Sequence, residues 1–301
     1  MLEKAPPPFE STASITAAMG AFEEYMRREG FSENTIKAFR SDLNILAQFT
    51  GAGRAVGDIS TQDLNDYLEW LQVGRGVPCN AKSLARRLTT LKVFFGWLVE
   101  VGVLDVDPAA PVAHQPVSTP LPQILSVDQV ERMLAVTRAL RHLDNGARAD
   151  TRPHLLVTLM LQTGIKKGEC MNIVLNHLDF SDPTSPSVWI RYQDPRRRHK
   201  ERKLRLPKEW PEVFQEYKAK YTIEEAVFPC TARNLEYVLA DVAQAADLPK
   251  GLSFEMLRWT SAVRDYKAQM PAERQRQKMG LSKASWREVK VKLARLAQQP
   301  L

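Results

Sequence analysis

The sequence predicts two mainly helical domains, the second interrupted by one small β-hairpin. Three observations predict it. The chain has 301 residues, about twice the ~150 of an average domain. Apolar residues recur at helical spacing through most of it. Pro108, Pro111, Pro116, Pro120 and Pro122 break it near one third of its length, and a helix interior tolerates no such run. A hydrophobic fraction of 44% excludes a disordered or collagen-like chain. No window approaches the ~18 consecutive apolar residues of a membrane span.

The elements follow in order. Residues 1–12 carry Pro6, Pro7 and Pro8, lack the apolar run of a secretory signal, and read as a mobile tail. The region 13–107 holds four helices. The first runs from Ile15 to Glu29 on Ile15, Met19, Phe22 and Met26, and Gly30 stops it. The second starts at Ser32-Glu33-Asn34-Thr35 and carries Ile36, Phe39, Leu43, Leu46 and Phe49. Ser60-Thr61-Gln62-Asp63 caps a third, ending near Val73. The fourth starts near Asn80, with Leu84, Leu88, Leu91, Phe94 and Leu98 on one stripe. Residues 108–123 read as a linker and 124–301 as the second domain. That domain opens with a helix at Ser126, followed by a strongly apolar helix from His154 to Gln162. Ser187 to Tyr192 and Lys203 to Leu206 read as two strands, and about four helices complete the chain.

Charge is uneven. The net charge is +7 overall, −3 from Met1 to Val112 and +10 from Ala113 to Leu301, so any polyanion affinity is expected mostly in the second half. Arg196, Arg197, Arg198, Lys200, Arg202 and Lys203 crowd the hairpin, and guanidinium forks match phosphate oxygens. Arg264 to Lys292 holds nine Lys/Arg against three acids and includes Lys283 and Lys290. Lys82, Arg86 and Arg87, with Lys92 further along, face away from the apolar stripe of the fourth helix, as a groove-binding helix would. Cys79, Cys170 and Cys230 are odd in number and far apart, which points to a reducing cytoplasm. His114, His142, His154, His177 and His199 have no ligand spacing, so no metal or other cofactor is expected.

The order of these pieces resembles the tyrosine recombinase (phage integrase) family over nearly the whole chain. Ser32-Glu33-Asn34-Thr35 through Asp42-Leu43 resembles its S-x-N-T-x-x-x-Y-x-x-D-L stretch. Thr163-Gly164-Ile165-Lys166-Lys167-Gly168-Glu169 resembles T-G-x-R-x-x-E, Glu255 to Thr260 falls on H-x-L-R-H-T, and Met279-Gly280-Leu281-Ser282 resembles L-G-H-S. The resemblance implies an N-terminal four-helix core-binding (SAM-like) domain and a mostly helical catalytic-type domain. It also implies the family's chemistry: a tyrosine attacks a DNA phosphodiester, arginines and histidines stabilise the transition state, and a hairpin lysine protonates the leaving oxygen. Preorganised donors of that kind are each worth about 3 kcal/mol.

The site positions depart from the pattern. The first arginine falls on Lys166, which keeps the charge without the fork. The hairpin lysine falls on Arg197 (Arg198 if the loop shifts), and a guanidinium with a pKa above ~12 is a poor proton donor. The first histidine falls on Glu255, the second arginine is retained as Arg258, and the late histidine falls on Leu281. The nucleophile falls on Lys290, and no tyrosine follows Tyr266. Arg258 as a phosphate contact competes with an internal salt bridge to Glu169 or Glu255. The stripe Val289, Leu293, Leu296 and Ala297 either docks on a second protomer or an active relative, or packs in cis.

The expected function is double-stranded DNA binding without strand cleavage, as an accessory or regulatory factor in recombination or integration of a mobile element. The expected DNA contacts are Lys82, Arg86, Arg87, Lys92, Lys166, Arg196, Arg197, Arg198, Lys200, Arg258, Lys283 and Lys290. The alternatives are an active strand-exchange enzyme with a non-standard nucleophile, or a repressor, replication or segregation protein. The expected location is cytoplasmic, on the nucleoid in a prokaryote.

Overall fold

The computed structural model describes residues 9–77, 79–114, 120–142 and 149–298. It divides into two compact units, Met1–Pro120 and Leu121–Leu301, each with its own buried core.

The first unit is four helices: α1 (Ile15–Arg28), α2 (Glu33–Thr50), α3 (Thr61–Glu69) and α4 (Ala81–Glu100). Each start is fixed by a side-chain oxygen that accepts an otherwise orphaned backbone N–H. Ser14 takes Ala17, Ser32 takes Thr35, and Asn80 takes Ser83. Ser60 and Asp63 cap α3 reciprocally. Gly30 ends α1 at φ +69°, a conformation costly for a side chain with a Cβ. The third helix reaches Gly74, as its apolar pattern predicts, but its last turn, Trp70–Gly74, widens to π geometry. The core is aromatic: Phe22 meets Phe94 edge-on at 5.3 Å and Trp97 at 5.2 Å.

Parts of the two stretches read as unpacked chain make packing contacts. Of the supposed tail, residues 1–8 lie outside the described residues. Phe9, however, packs against Trp97, and the Ser11 carbonyl accepts from the Gly57 amide at 2.9 Å. Of the supposed linker, residues 115–119, with Pro116, lie outside the described residues. Ala109 and Val112 are buried in the core of the first unit, and Thr61 Oγ1 donates to the Pro108 carbonyl at 2.8 Å. Leu121, Ile124 and Leu125 pack within the second unit. Proline forbids the helix there, but it does not stop the apolar residues between prolines from being buried.

The second unit begins with α5 (Val127–Arg141) and α6 (Arg152–Thr163). From Pro153 to Leu161 every residue of α6 is buried, as a helix apolar on all sides must be. A short helix α7 (Lys167–Met171) leads to a three-stranded antiparallel sheet: β1 (Leu178–Asp179), β2 (Ser187–Ile190) and β3 (Arg202–Arg205), in that spatial order. The hairpin register pairs Ser187 with Arg205 and Ile190 with Arg202. The two-residue β1 has no counterpart in the sequence pattern, because it is too short to show alternation. Between β2 and β3 the chain makes a 3-10 turn, Pro195–Lys200. Five helices follow rather than about four: α8 (Trp210–Lys220), α9 (Ala232–Ala245), α10 (Phe254–Lys267), α11 (Ala272–Lys278) and α12 (Lys283–Ala297). Of the two readings of the α12 stripe, packing in cis is the one seen within this chain. Leu293 and Leu296 are fully buried against Trp259, Val263 and Met279 of the same chain, so that apolar face is consumed in cis. No helix among the described residues is long and apolar enough to cross a membrane.

Candidate nucleic-acid interface

The centre of the second unit's basic surface is a buried carboxylate. Gly164 closes α6 in the left-handed region at φ +60°, Lys166 turns the chain into α7, and Glu169 follows within its first turn. Glu169 is met by three donors. The Lys166 amide reaches Oε2 at 2.8 Å. The Arg202 fork reaches Oε1 at 3.1 Å and Oε2 at 2.9 Å. The Tyr192 hydroxyl, from beyond β2, donates to Oε1. Burial alone would raise this carboxyl, but the Arg202 fork, the Lys166 amide and the Tyr192 hydroxyl together pull it down to about 2. Burial and then the neighbouring Glu169 charge push the Tyr192 phenol up to about 12, which makes it a poor nucleophile near neutrality.

Two arginines then clasp one turn. Arg202 Nε donates to the Lys278 carbonyl at 2.8 Å. Arg258, on the first half of α10 and 9% exposed, donates to the Met279 carbonyl at 2.8 Å and to the Gly164 carbonyl. The next residue, Gly280, sits at φ +61°, and a Cβ there would fall 2.7 Å from Arg202 Nη1. Glycine is what lets this turn approach the guanidinium. Burial draws the Arg258 guanidinium down to about 10, which leaves it charged at neutral pH. Lys166 reaches solvent beside them. Partial desolvation, then repulsion from Arg258, Lys200 and Arg202, holds its ammonium below the usual lysine range against the pull of Glu169.

Lys166, Lys200, Arg202 and Arg258 therefore share one neighbourhood with buried Glu169 among them and Glu255 near Arg258. The excess positive charge suits an oxyanion. The hairpin turn adds Arg196, Arg197 and Arg198, all exposed, and Asp194 steadies it by accepting from the Arg196 amide at 3.0 Å. Glu255 stands exposed in the first turn of α10, and Leu281 is half-buried. Lys283 and Lys290 are exposed on α12.

Two readings of charged residues change. The ion pair to Glu169 or Glu255 that was the alternative to a phosphate contact for Arg258 is not formed. The Arg202 fork takes Glu169, and Arg258 binds backbone carbonyls. The cationic front of α4 is also not uniformly free. Asp42 of α2 is 1% exposed, and Arg86 binds it directly. Thr90 donates to it at 3.0 Å, and Arg87 Nε lies 3.4 Å from its other oxygen. Arg87, whose side chain is 11% exposed, is thereby removed from any surface, and Lys92 is drawn to the Ala110 carbonyl at 3.2 Å. Lys82 stays exposed. The sequence holds a signal for this node. Asp42 falls on the apolar stripe three residues after Phe39, and a carboxylate on a buried face needs cationic partners. The Glu169–Arg202–Tyr192 cluster has no such signal, since its members come from a helix and two ends of a hairpin.

Residues 20–102 match the phage integrase N-terminal SAM-like domain. The chain is 31% identical over 182 residues to the tyrosine recombinase XerC of Neisseria meningitidis, covering 58% of this chain and 55% of that protein. It is 31% identical over 165 residues to the tyrosine recombinase XerD of Bradyrhizobium diazoefficiens, covering 53% and 50%. The chain thus spans about half the length of the curated relatives it matches. Its fold is similar to that of the XerH site-specific recombinase bound to a palindromic difH substrate in a post-cleavage complex. That likeness has a TM-score of 0.72 and 14% identity, and covers 98% of this chain and 96% of that one. It is also similar to a lambda integrase dimer bound to a COC′ core site, with a TM-score of 0.69 and 14% identity, covering 92% and 77%.

Proposed function

Because the first unit matches the phage integrase SAM-like domain and the chain is similar to tyrosine recombinases, we propose that it is a member of that family that binds double-stranded DNA through the basic face of its second unit without cleaving it. It would then serve as an accessory or regulatory factor in the recombination or integration of a mobile element. One observation carries this reading. Tyr192, which reaches the Lys166–Arg258 cluster, has its hydroxyl tied to Glu169, while Lys290, on which the sequence resemblance puts the family's nucleophile, is exposed. The cluster retains the charge that grips phosphate and has no poised phenolate to attack it.

Supporting this, Arg196 to Arg198 stand exposed on one turn beside that cluster. Phosphate contacts release counterions, so affinity should fall steeply with salt. An anisotropy titration of a labelled duplex at several salt concentrations tests the electrostatic part, and a flat response would remove it. A duplex nicked beside the scissile position traps any covalent adduct and tests the chemical part. The relatives are named as recombinases, so a trapped adduct would move this chain to an active strand-exchange enzyme with an unorthodox nucleophile.

A further inference from the structure

A second basic feature adjoins the Lys166–Arg258 cluster and shares Arg202 with it. A cleft of about 960 Å³ opens between the sheet, the end of α6, the last half of α10 and α11. Its wall is apolar at Leu161, Leu204, Ala268 and Met270. Six cations and three carboxylates line it. Three of those cations are neutralised: Arg202 by Glu169, Lys203 by Asp179 at 2.7 Å, and Lys278 by Asp265 at 2.6 Å. The other three, Arg205, Arg264 and Arg274, are exposed and form no ion pair among the described residues. The remaining carboxylate, Asp182, is occupied by the amide and hydroxyl of Thr184 at 2.9 and 2.7 Å. Two hydroxyls of the same wall, Ser187 and Ser261, are 3% and 2% exposed and have no hydrogen-bond partner.

We propose that this cleft binds a small polyphosphate of the nucleoside triphosphate class. Three guanidiniums line one concavity, with Asp182 near Arg205, and planar forks suit phosphate oxygens. The size and the mixture of apolar wall with a few polar groups match small-ligand pockets of about 300–1,000 Å³ rather than the track of a long duplex. The apolar wall would take a base, and the guanidinium rim the phosphate chain.

The test uses the full chain, ATP labelled on the ribose as an anisotropy probe, and unlabelled tripolyphosphate as competitor. The expected result is saturable ATP binding that tripolyphosphate displaces. The variant Arg205→Gln/Arg264→Gln/Arg274→Gln should weaken it by roughly tenfold or more, the effect expected when charge-assisted hydrogen bonds are removed. Its thermal unfolding should stay cooperative, and its duplex affinity should stay within about twofold, since these are not the proposed DNA contacts. Should the triple variant unfold, Arg274→Gln alone should still weaken ATP by roughly threefold. Absence of saturable binding to the unaltered chain, or equal binding by the variants, overturns the proposal. So does a parallel loss of ATP and duplex affinity, which would make the cleft part of the DNA surface. Duplex binding is measured separately, so either function can fail without the other.

Discussion

Glu169 decides the chemistry of its surroundings. Its side chain is 3% exposed, and it is held ionised by a fork, an amide and a phenol, so it organises cations without attracting a proton. Its folded pKa is depressed, so its contribution is present above the unfolded value of 4.5 and is lost as pH falls through about 2. Comparing urea unfolding of the wild type and Glu169→Gln should show their stability difference shrinking by about 3 kcal/mol across that window. At neutral pH the substitution leaves Arg202 buried without its counter-charge and should cost about 3–5 kcal/mol. An unchanged urea midpoint would show that Arg202 finds another partner. Gly280→Ala tests the clasp on the next turn. The new methyl meets a guanidinium already fixed by Glu169, in a left-handed backbone, and should cost roughly 1–3 kcal/mol by the same measurement.

Among the elements, the hairpin and the two cation-bearing helices divide the work unequally. On the hairpin turn, Arg196, Arg197 and Arg198 are exposed, the first two also lying 3.3 and 3.5 Å from Asp194. Their joint replacement by Gln should lower the slope of log affinity against log salt by about 0.9 for each phosphate left without its cation. On α4, Lys82→Glu should weaken DNA binding. Arg87→Glu should instead destabilise the first unit, because it places a second carboxylate against buried Asp42. Calorimetry and duplex titration of the two variants separate these outcomes. Legibility in the sequence follows the same physics. The helices from Ile15 to Glu100 are readable because each has a capping oxygen at its start and a stripe that faces one core. The basic turn between β2 and β3 is readable because charge density is local in sequence. Pairing at a distance is not. Glu169 and Arg202 are 33 positions apart and Asp42 and Arg86 are 44, and the order of cations along a chain does not say which are already neutralised.

Across the whole molecule, the split between −3 and +10 matches where exposed basic residues gather, in the second unit. Its C-terminal helix is held by its own chain through Leu293 and Leu296, and Leu293→Ala should cost about 2–5 kcal/mol in unfolding stability. The central claim is that this scaffold retains its grip on the DNA backbone after losing the group that breaks it. The most direct measurement incubates the full chain with a radiolabelled, nicked suicide duplex, confirms complex formation on a native gel, and then denatures the same sample in detergent. The account predicts a shifted native band and no label travelling with the denatured polypeptide. Label that stays with the polypeptide after denaturation would contradict it.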